Sequence, residues 1–209
     1  FGEIEQRFYA TTPAGRKLYD ACLAEADAAR EKDPALAHRD HEAYQRLYAA
    51  PFAPFPKTLP ELVAQGLVYA RYEPTEAGRA RKGSIETPSL PELVRLGLAR
   101  FEGLRYEDFL PVSAAGIFAS NLNQYGTKST AAVRPTYTQA MLEEIMGKRI
   151  VDADAVYKAM QARSILDTHT ALGTLRLLAP TERAELEAAA ETLPEASLFK
   201  ESERVAATV

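Results

Sequence analysis

Cysteine occurs once in the 209 residues, at Cys22. One thiol excludes an intrachain disulfide and a cysteine-based metal cluster, suits a reducing cytoplasm, and is expected to fill a helix face. No apolar run approaches the roughly 20 residues that cross a bilayer, and no stretch reads as a signal peptide. The chain also lacks a phosphate-binding loop, a glycine-rich dinucleotide turn and a nucleophile elbow. Basic excess is missing too: a net charge of -4 and a pI near 5.5 argue against a general nucleic-acid binder, which needs a basic face. What remains is ordinary for a globular domain, 46% hydrophobic and 26% charged residues, at a length that can bury a sizeable core.

The chain opens on Phe1, inside what reads as a strand: Phe1-Gly2-Glu3-Ile4-Glu5-Gln6-Arg7. Alternation along a strand puts Phe1, Glu3 and Glu5 on one face and Gly2, Ile4 and Gln6 on the other. Two carboxylates beside an aromatic ring are costly to bury unless a cation or hydrogen-bond donors meet them. A metal would satisfy that requirement, and so would an edge strand that leaves both carboxylates in water.

Further along, Thr12 and Pro13 make a helix start, and Leu18, Cys22 and Leu23 recur at helical spacing through about Arg30. Gly15-Arg16 also fits a winged-helix turn, against which Asp20, Glu25 and Asp27 weigh. His38 and His41 lie three apart, a spacing that holds zinc only if a third ligand exists, and a solvated helix is the expectation. Pro51, Pro54 and Pro56 read as an ordered connecting loop. Two similar stretches follow, Thr58-Leu59-Pro60-Glu61 and Ser89-Leu90-Pro91-Glu92, each a capping-box pattern running on to Leu-Val-x-x-Gly-Leu. They predict two short helices, stopped at Gly66 and Gly97 and followed by apolar strands such as Leu67–Ala70, either as a small duplication or as two converging turns. Residues 73–87 read as an exposed hairpin or loop, with Pro111 stiffening a turn before the small-residue run Val112-Ser113-Ala114-Ala115-Gly116. Helices are expected over 137–146 and 152–166, with His169 as a cap or surface residue. A solvated helix is expected from Thr181, ending in a loosely held tail.

The opening heptad resembles the metal-binding strand of the vicinal oxygen chelate superfamily, Phe-x-Glu-Ile-x-Gln-Arg. The stretch from Tyr106-Glu107-Asp108-Phe109-Leu110-Pro111-Val112-Ser113 to Leu122, together with Thr12-Pro13-Ala14-Gly15-Arg16-Lys17-Leu18-Tyr19-Asp20, resembles the 2-oxoadipate dioxygenase/decarboxylase family, also called hydroxyglutarate synthase. The resemblance implies an α+β fold: the carboxy-terminal part of a vicinal-oxygen-chelate-like metal-binding sheet, with a helix-rich extension. The chain is then a single domain or the fragment of a larger enzyme, with a metal-ligand strand over 1–9, helices and short strands over 12–180, and a tail over 181–209. Glu3 is implied as the carboxylate ligand of Fe(II), beside two histidines from an upstream part of the same protein. Val112, through its backbone, and Ser113 are implied as substrate contacts. Glu5 reads equally as a partner of a metal ligand or as a packed neighbour. The substrates implied are a 2-oxo dicarboxylic acid, 2-oxoadipate, and O2, with 2-hydroxyglutarate and CO2 as products, no nucleic acid and no membrane. The competing readings are a catalytically silent partner-docking module and a winged-helix DNA reader.

Overall fold

The computed structural model describes the backbone of residues 2–111 and 138–192, with side chains throughout except at 2–7, 107–111 and 139. In chain order the elements are strand β1 (Gly2–Arg7), helices α1 (Pro13–Lys32), α2 (Leu36–Arg39), α3 (His41–Ala49) and α4 (Leu59–Ala64), strand β2 (Ala70–Pro74), helices α5 (Glu76–Ala80) and α6 (Leu90–Arg95), strands β3 (Ala99–Gly103) and β4 (Tyr106–Pro111), and helices α7 (Gln139–Met146), α8 (Ala153–Leu172) and α9 (Pro180–Glu191). Helices with small antiparallel sheets make this an α+β chain. Two compact units divide it, one from 1–8 with 105–153 and the other from 9–104 with 154–209.

The larger unit is built around a duplication. Thr58 forms a full capping box with Glu61, and the α4 helix ends on Gly66 at φ +65°, where Leu67 N–H reaches Leu62 O at 2.9 Å and Gly66 N–H reaches Val63 O at 3.0 Å. The α6 helix ends the same way on Gly97 at φ +68°, with Leu98 N–H to Leu93 O at 2.9 Å and Gly97 N–H to Val94 O at 2.9 Å. Both are closures in which a left-handed glycine lets two amides turn back on the last carbonyls. Each closed turn then receives a Thr-x-Ala-Gly-Arg helix start. Thr12 donates its hydroxyl to Gly66 O at 2.7 Å and its N–H to Leu67 O at 3.0 Å, and the same hydroxyl accepts from Gly15 N–H at 3.1 Å. Thr75 repeats the set on Gly97 O at 2.6 Å, Leu98 O at 3.0 Å and Gly78 N–H at 3.1 Å. Glycine is required three residues after each threonine because a Cβ there would overlap the carbonyl oxygen of Leu67 or Leu98. Leu62, Leu67 and Val68 form one small core and Leu93, Leu98 and Ala99 lie in its counterpart. Each such buried leucine contributes about 1.5–3 kcal/mol by leaving water. The duplication therefore prevails over the reading of two merely converging turns.

β2 and β3 pair antiparallel from Ala70↔Gly103 to Pro74↔Ala99. Helix α8 covers the free edge of β2: Gln161 Oε1 accepts from Ala70 N–H at 2.7 Å and Ser164 Oγ from Tyr72 N–H at 3.1 Å. Covering an edge with a helix satisfies amides that would otherwise invite another strand. In the smaller unit, β1 and β4 form a six-pair antiparallel ladder. Helix α7 there is capped by Thr138 and closed by Gly147 at φ +62°.

Several expectations are corrected. Residues 73–87 are a loop only in part: residues 73–74 end β2 and 76–80 form α5, while 81–87 are turn and irregular chain, largely exposed apart from the buried Ile85. The strand expected over Leu67–Ala70 begins only at Ala70, since Leu67 is spent on the helix closure. Ser89 makes no capping bond; its N–H is held by Thr87 Oγ1 at 3.2 Å, and Glu92 pairs with Arg95 instead. Pro111 is the last described residue of β4, and the turn expected before and within Val112–Gly116 lies outside the described residues. Helix α8 runs on to Leu172 and buries His169 completely, so that residue is neither cap nor surface. The helix expected from Thr181 is present as α9, with Ala190 buried, and the tail expected beyond it from Phe199 lies outside the described residues. Cys22 does fill a helix face, and α1 begins at the Thr12 cap as expected. Prolines 51–56 carry a short 3-10 turn, with the Phe52 and Phe55 rings 5.7 and 6.3 Å from that of Tyr19.

Candidate functional site

The candidate metal ligand Glu3 lies in β1, whose strand conformation the sequence predicts. Its Cα partner is Leu110, and the ladder runs from Gly2↔Pro111 to Arg7↔Tyr106. The residue before Glu3 is therefore opposite the residue before Val112. This register brings the two marked stretches, over a hundred residues apart in sequence, to one end of one ladder. Val112 and Ser113 themselves lie outside the described residues, as do the side chains of Glu3 and Glu5. Glu5 stands opposite Asp108. Two acidic residues at directly opposed positions cost stability unless a cation or a donor lies between them.

No group of three histidine, cysteine or carboxylate side chains able to hold a metal exists among the described residues. All three histidines of the chain belong to the larger unit. His38 and His41 are exposed on α2 and α3, with His41 Nε2 at 3.0 Å from Gln45 Nε2, as a solvated helix would have them. His169 is buried, its Nδ1 at 2.8 Å from Thr174 Oγ1 and its Nε2 without a partner, and burial pushes its pKa below the ordinary imidazole value.

The larger unit carries a shallow cleft lined by Arg71, Glu73, Arg100, Phe101 and Glu102 on the β2–β3 ribbon. Its charges answer one another: Arg100 donates to Glu73 at 2.9 Å and Arg71 lies 3.4 Å from the same carboxylate. The Arg100 hydrogen bond holds the Glu73 pKa below the usual carboxylate range. A dicarboxylate finds no uncompensated positive charge there. The paired capped helices that prompt a DNA-reading alternative are used inside the unit, where their closing turns receive Thr12 and Thr75.

One feature carries no sequence signal at all. Ala10 N–H donates to Leu104 O at 2.7 Å, Leu104 N–H to Tyr69 O at 3.0 Å and Tyr69 N–H to Ala10 O at 2.9 Å, a closed ring of backbone bonds among three buried residues. Backbone pairing of this kind is open to any side chain, so no residue pattern announces it.

Comparison with known proteins completes the description. Residues 1–121 match the model of the family described as 2-oxoadipate dioxygenase/decarboxylase. A protein of that name from Pseudomonas putida is 43% identical over 166 residues, 79% of this chain and 35% of the relative. Its counterpart from Escherichia coli is 35% identical over 165 residues, 78% of this chain and 34% of the relative. The crystal structure of the Pseudomonas putida hydroxyglutarate synthase in complex with 2-oxoadipate superposes with a TM-score of 0.57 at 38% identity, covering 78% of this chain and 34% of that one. The chain thus spans about a third of the length of these relatives. No helix among the described residues is long and apolar enough to cross a membrane.

Proposed function

Because this chain belongs to the 2-oxoadipate dioxygenase/decarboxylase family, we propose that it is the carboxy-terminal part of a non-haem iron(II) enzyme that converts 2-oxoadipate and O2 to 2-hydroxyglutarate and CO2. The observation that supports this reading is the β1–β4 register, which sets Gly2 opposite Pro111, the residue before Val112-Ser113, and Glu3 opposite Leu110. The sheet is read as part of a vicinal-oxygen-chelate-like metal site, working as a soluble cytoplasmic enzyme.

A carboxylate on a strand is the donor type that, with two neutral imidazoles, leaves one face of iron(II) open. Glu3 supplies that carboxylate, and the two histidines come from an upstream part of the same protein. Iron(II), held by Glu3 and those two histidines, would supply a redox-active Lewis-acid centre for a 2-oxo acid and O2. Everything else is positioning by the chain. Val112, through its backbone, and the Ser113 hydroxyl hold the distal carboxylate as charge-assisted donors, which orients the keto end toward Glu3. The six carbons of the substrate leave as a five-carbon hydroxy acid and CO2, and both atoms of O2 are accounted for between them.

The test is Glu3→Ala in the full-length protein. Iron content and turnover of 2-oxoadipate should be lost while the circular dichroism spectrum is kept. Retained turnover would sink the assignment.

A further inference from the structure

In the larger unit, helix α8 ends as α4 and α6 do. Gly173 stands at φ +72°, its N–H reaches Thr170 O at 3.2 Å, and Thr174 N–H reaches His169 O at 2.9 Å. Such a closure brings together the residue four before the glycine and the residue just after it, and an apolar contact between the two completes it. Leu62 and Leu67 occupy those positions at the end of α4, and Leu93 and Leu98 at the end of α6, each pair within one buried cluster. At the end of α8 the same positions hold His169 and Thr174. Both are completely buried, and His169 Nδ1 lies 2.8 Å from Thr174 Oγ1. A leucine pair that the unit uses twice is here replaced by a pair that can titrate.

The turn closed in this way shuts the second core. Leu172, fully buried, packs with Ile85, Leu93, Leu98 and Ala99, and its carbonyl accepts from Gly83 N–H at 3.4 Å. A Cβ on Gly173 would come within 3.2 Å of Gly83 N, so the end of α8 bears directly on the turn that follows α5. A neutral imidazole suits this place, with one nitrogen on the Thr174 hydroxyl. In the cation both ring nitrogens are donors, and Nε2 has no partner. A buried cation with an unmet donor is strongly disfavoured, so the second proton is taken up when the ring leaves the core. Leaving breaks the bond to Thr174 and opens the closure. The charged groups on the elements packed here are Arg79, Arg81 and Lys82 around the end of α5, the Glu92–Arg95 pair on α6, Arg100 and Glu102 on β3, and Asp167 and Arg176 flanking the turn. All are exposed except the half-buried Glu92, and burial is what holds the imidazole pKa below its ordinary value.

We propose that the His169–Thr174 pair is a proton-operated latch, closed while the imidazole is neutral, that frees the end of α8 from the turn after α5 in acid. The test is hydrogen exchange of the 209-residue chain, read at single amides at about pH 7 and about pH 5 and corrected for intrinsic rates. An imidazole released into water titrates near about 6.5, so this change of pH favours the open turn by up to about 25-fold. Protection of the Gly173 and Thr174 amides should therefore fall by about tenfold or more beyond any fall at Leu67 and Leu98, whose amides sit in the leucine closures. His169→Leu combined with Thr174→Leu supplies a third leucine pair and should keep the amide at position 174 protected at both pH values. Protection at 173 and 174 that acid leaves unchanged in the wild type, or that falls only in step with Leu67 and Leu98, overturns the latch. A folded double variant that still loses protection at 174 in acid overturns it as well. The wild-type comparison decides by itself if the double variant does not fold.

Discussion

Placing a methyl group on Gly15 tests the docking on which the larger unit is built. The Cβ of Gly15→Ala would overlap the Leu67 carbonyl oxygen and lie 2.8 Å from its carbon. The start of α1 must then back away from the closing turn of α4 by about an ångström, a misfit of the kind that costs about 1–3 kcal/mol. Retreat also stretches two bonds, Thr12 N–H to Leu67 O at 3.0 Å and Thr12 Oγ1 to Gly66 O at 2.7 Å. At about 0.5–1.5 kcal/mol each, they add about 1–3 kcal/mol. Against this, alanine in a helix is favoured over glycine by about 1 kcal/mol. The net expectation is a loss of about 1–5 kcal/mol, with a centre near 3 kcal/mol, a large part of a stability of ordinary size. Gly66→Ala is the comparison: nothing lies within 4 Å of its Cβ, so its cost is the left-handed backbone alone, about 1–2 kcal/mol. Urea unfolding of both variants provides the assay. If Gly15→Ala is no less stable than Gly66→Ala, the close approach is not what holds α1 in place. Gly78→Ala should cost at least as much as Gly15→Ala, because its Cβ would also meet Leu172 Cδ2 at 2.7 Å.

Three further outcomes are expected. His169 has its pKa lowered by burial, so as pH falls below about 6.5 the unfolded chain takes up a proton that the folded one refuses. Stability should be full above that value and decline beneath it, and His169→Leu should flatten the decline in melting temperature between about pH 7 and about pH 5; an unchanged slope would show the group to be irrelevant. Thr58→Ala should destabilise by about 1 kcal/mol and Ser89→Ala by much less, since only Thr58 makes the capping bonds; equal melting shifts would contradict the observed caps. In the full-length protein, Ser113→Ala should weaken binding of 2-oxoadipate by about tenfold or more, with little effect on a 2-oxo acid lacking the distal carboxylate. Equal slowing of both substrates would remove the carboxylate role.

The sequence alone determined the local pieces. Thr12-Pro13 starts α1, the Leu-Val-x-x-Gly-Leu repeats stop α4 and α6 at left-handed glycines, and Gly2–Arg7 is a strand, all because capping, glycine freedom and side-chain alternation act over a few residues. The family, too, was legible in the Phe1–Arg7 and Tyr106–Leu122 stretches, which lie almost wholly within the matched residues 1–121. Tertiary structure decided what depends on long-range partners. His169 looked like a surface residue because a lone histidine near a helix end carries no mark of burial, and only the packing of α8 in the second core encloses it. Ser89 has the capping pattern, yet Arg95 takes its Glu92 and Thr87 takes its amide. The partner of Glu3 across the ladder, and the ring of Ala10, Tyr69 and Leu104, are matters of backbone pairing between distant segments, and backbone amides and carbonyls are the same at every residue but proline.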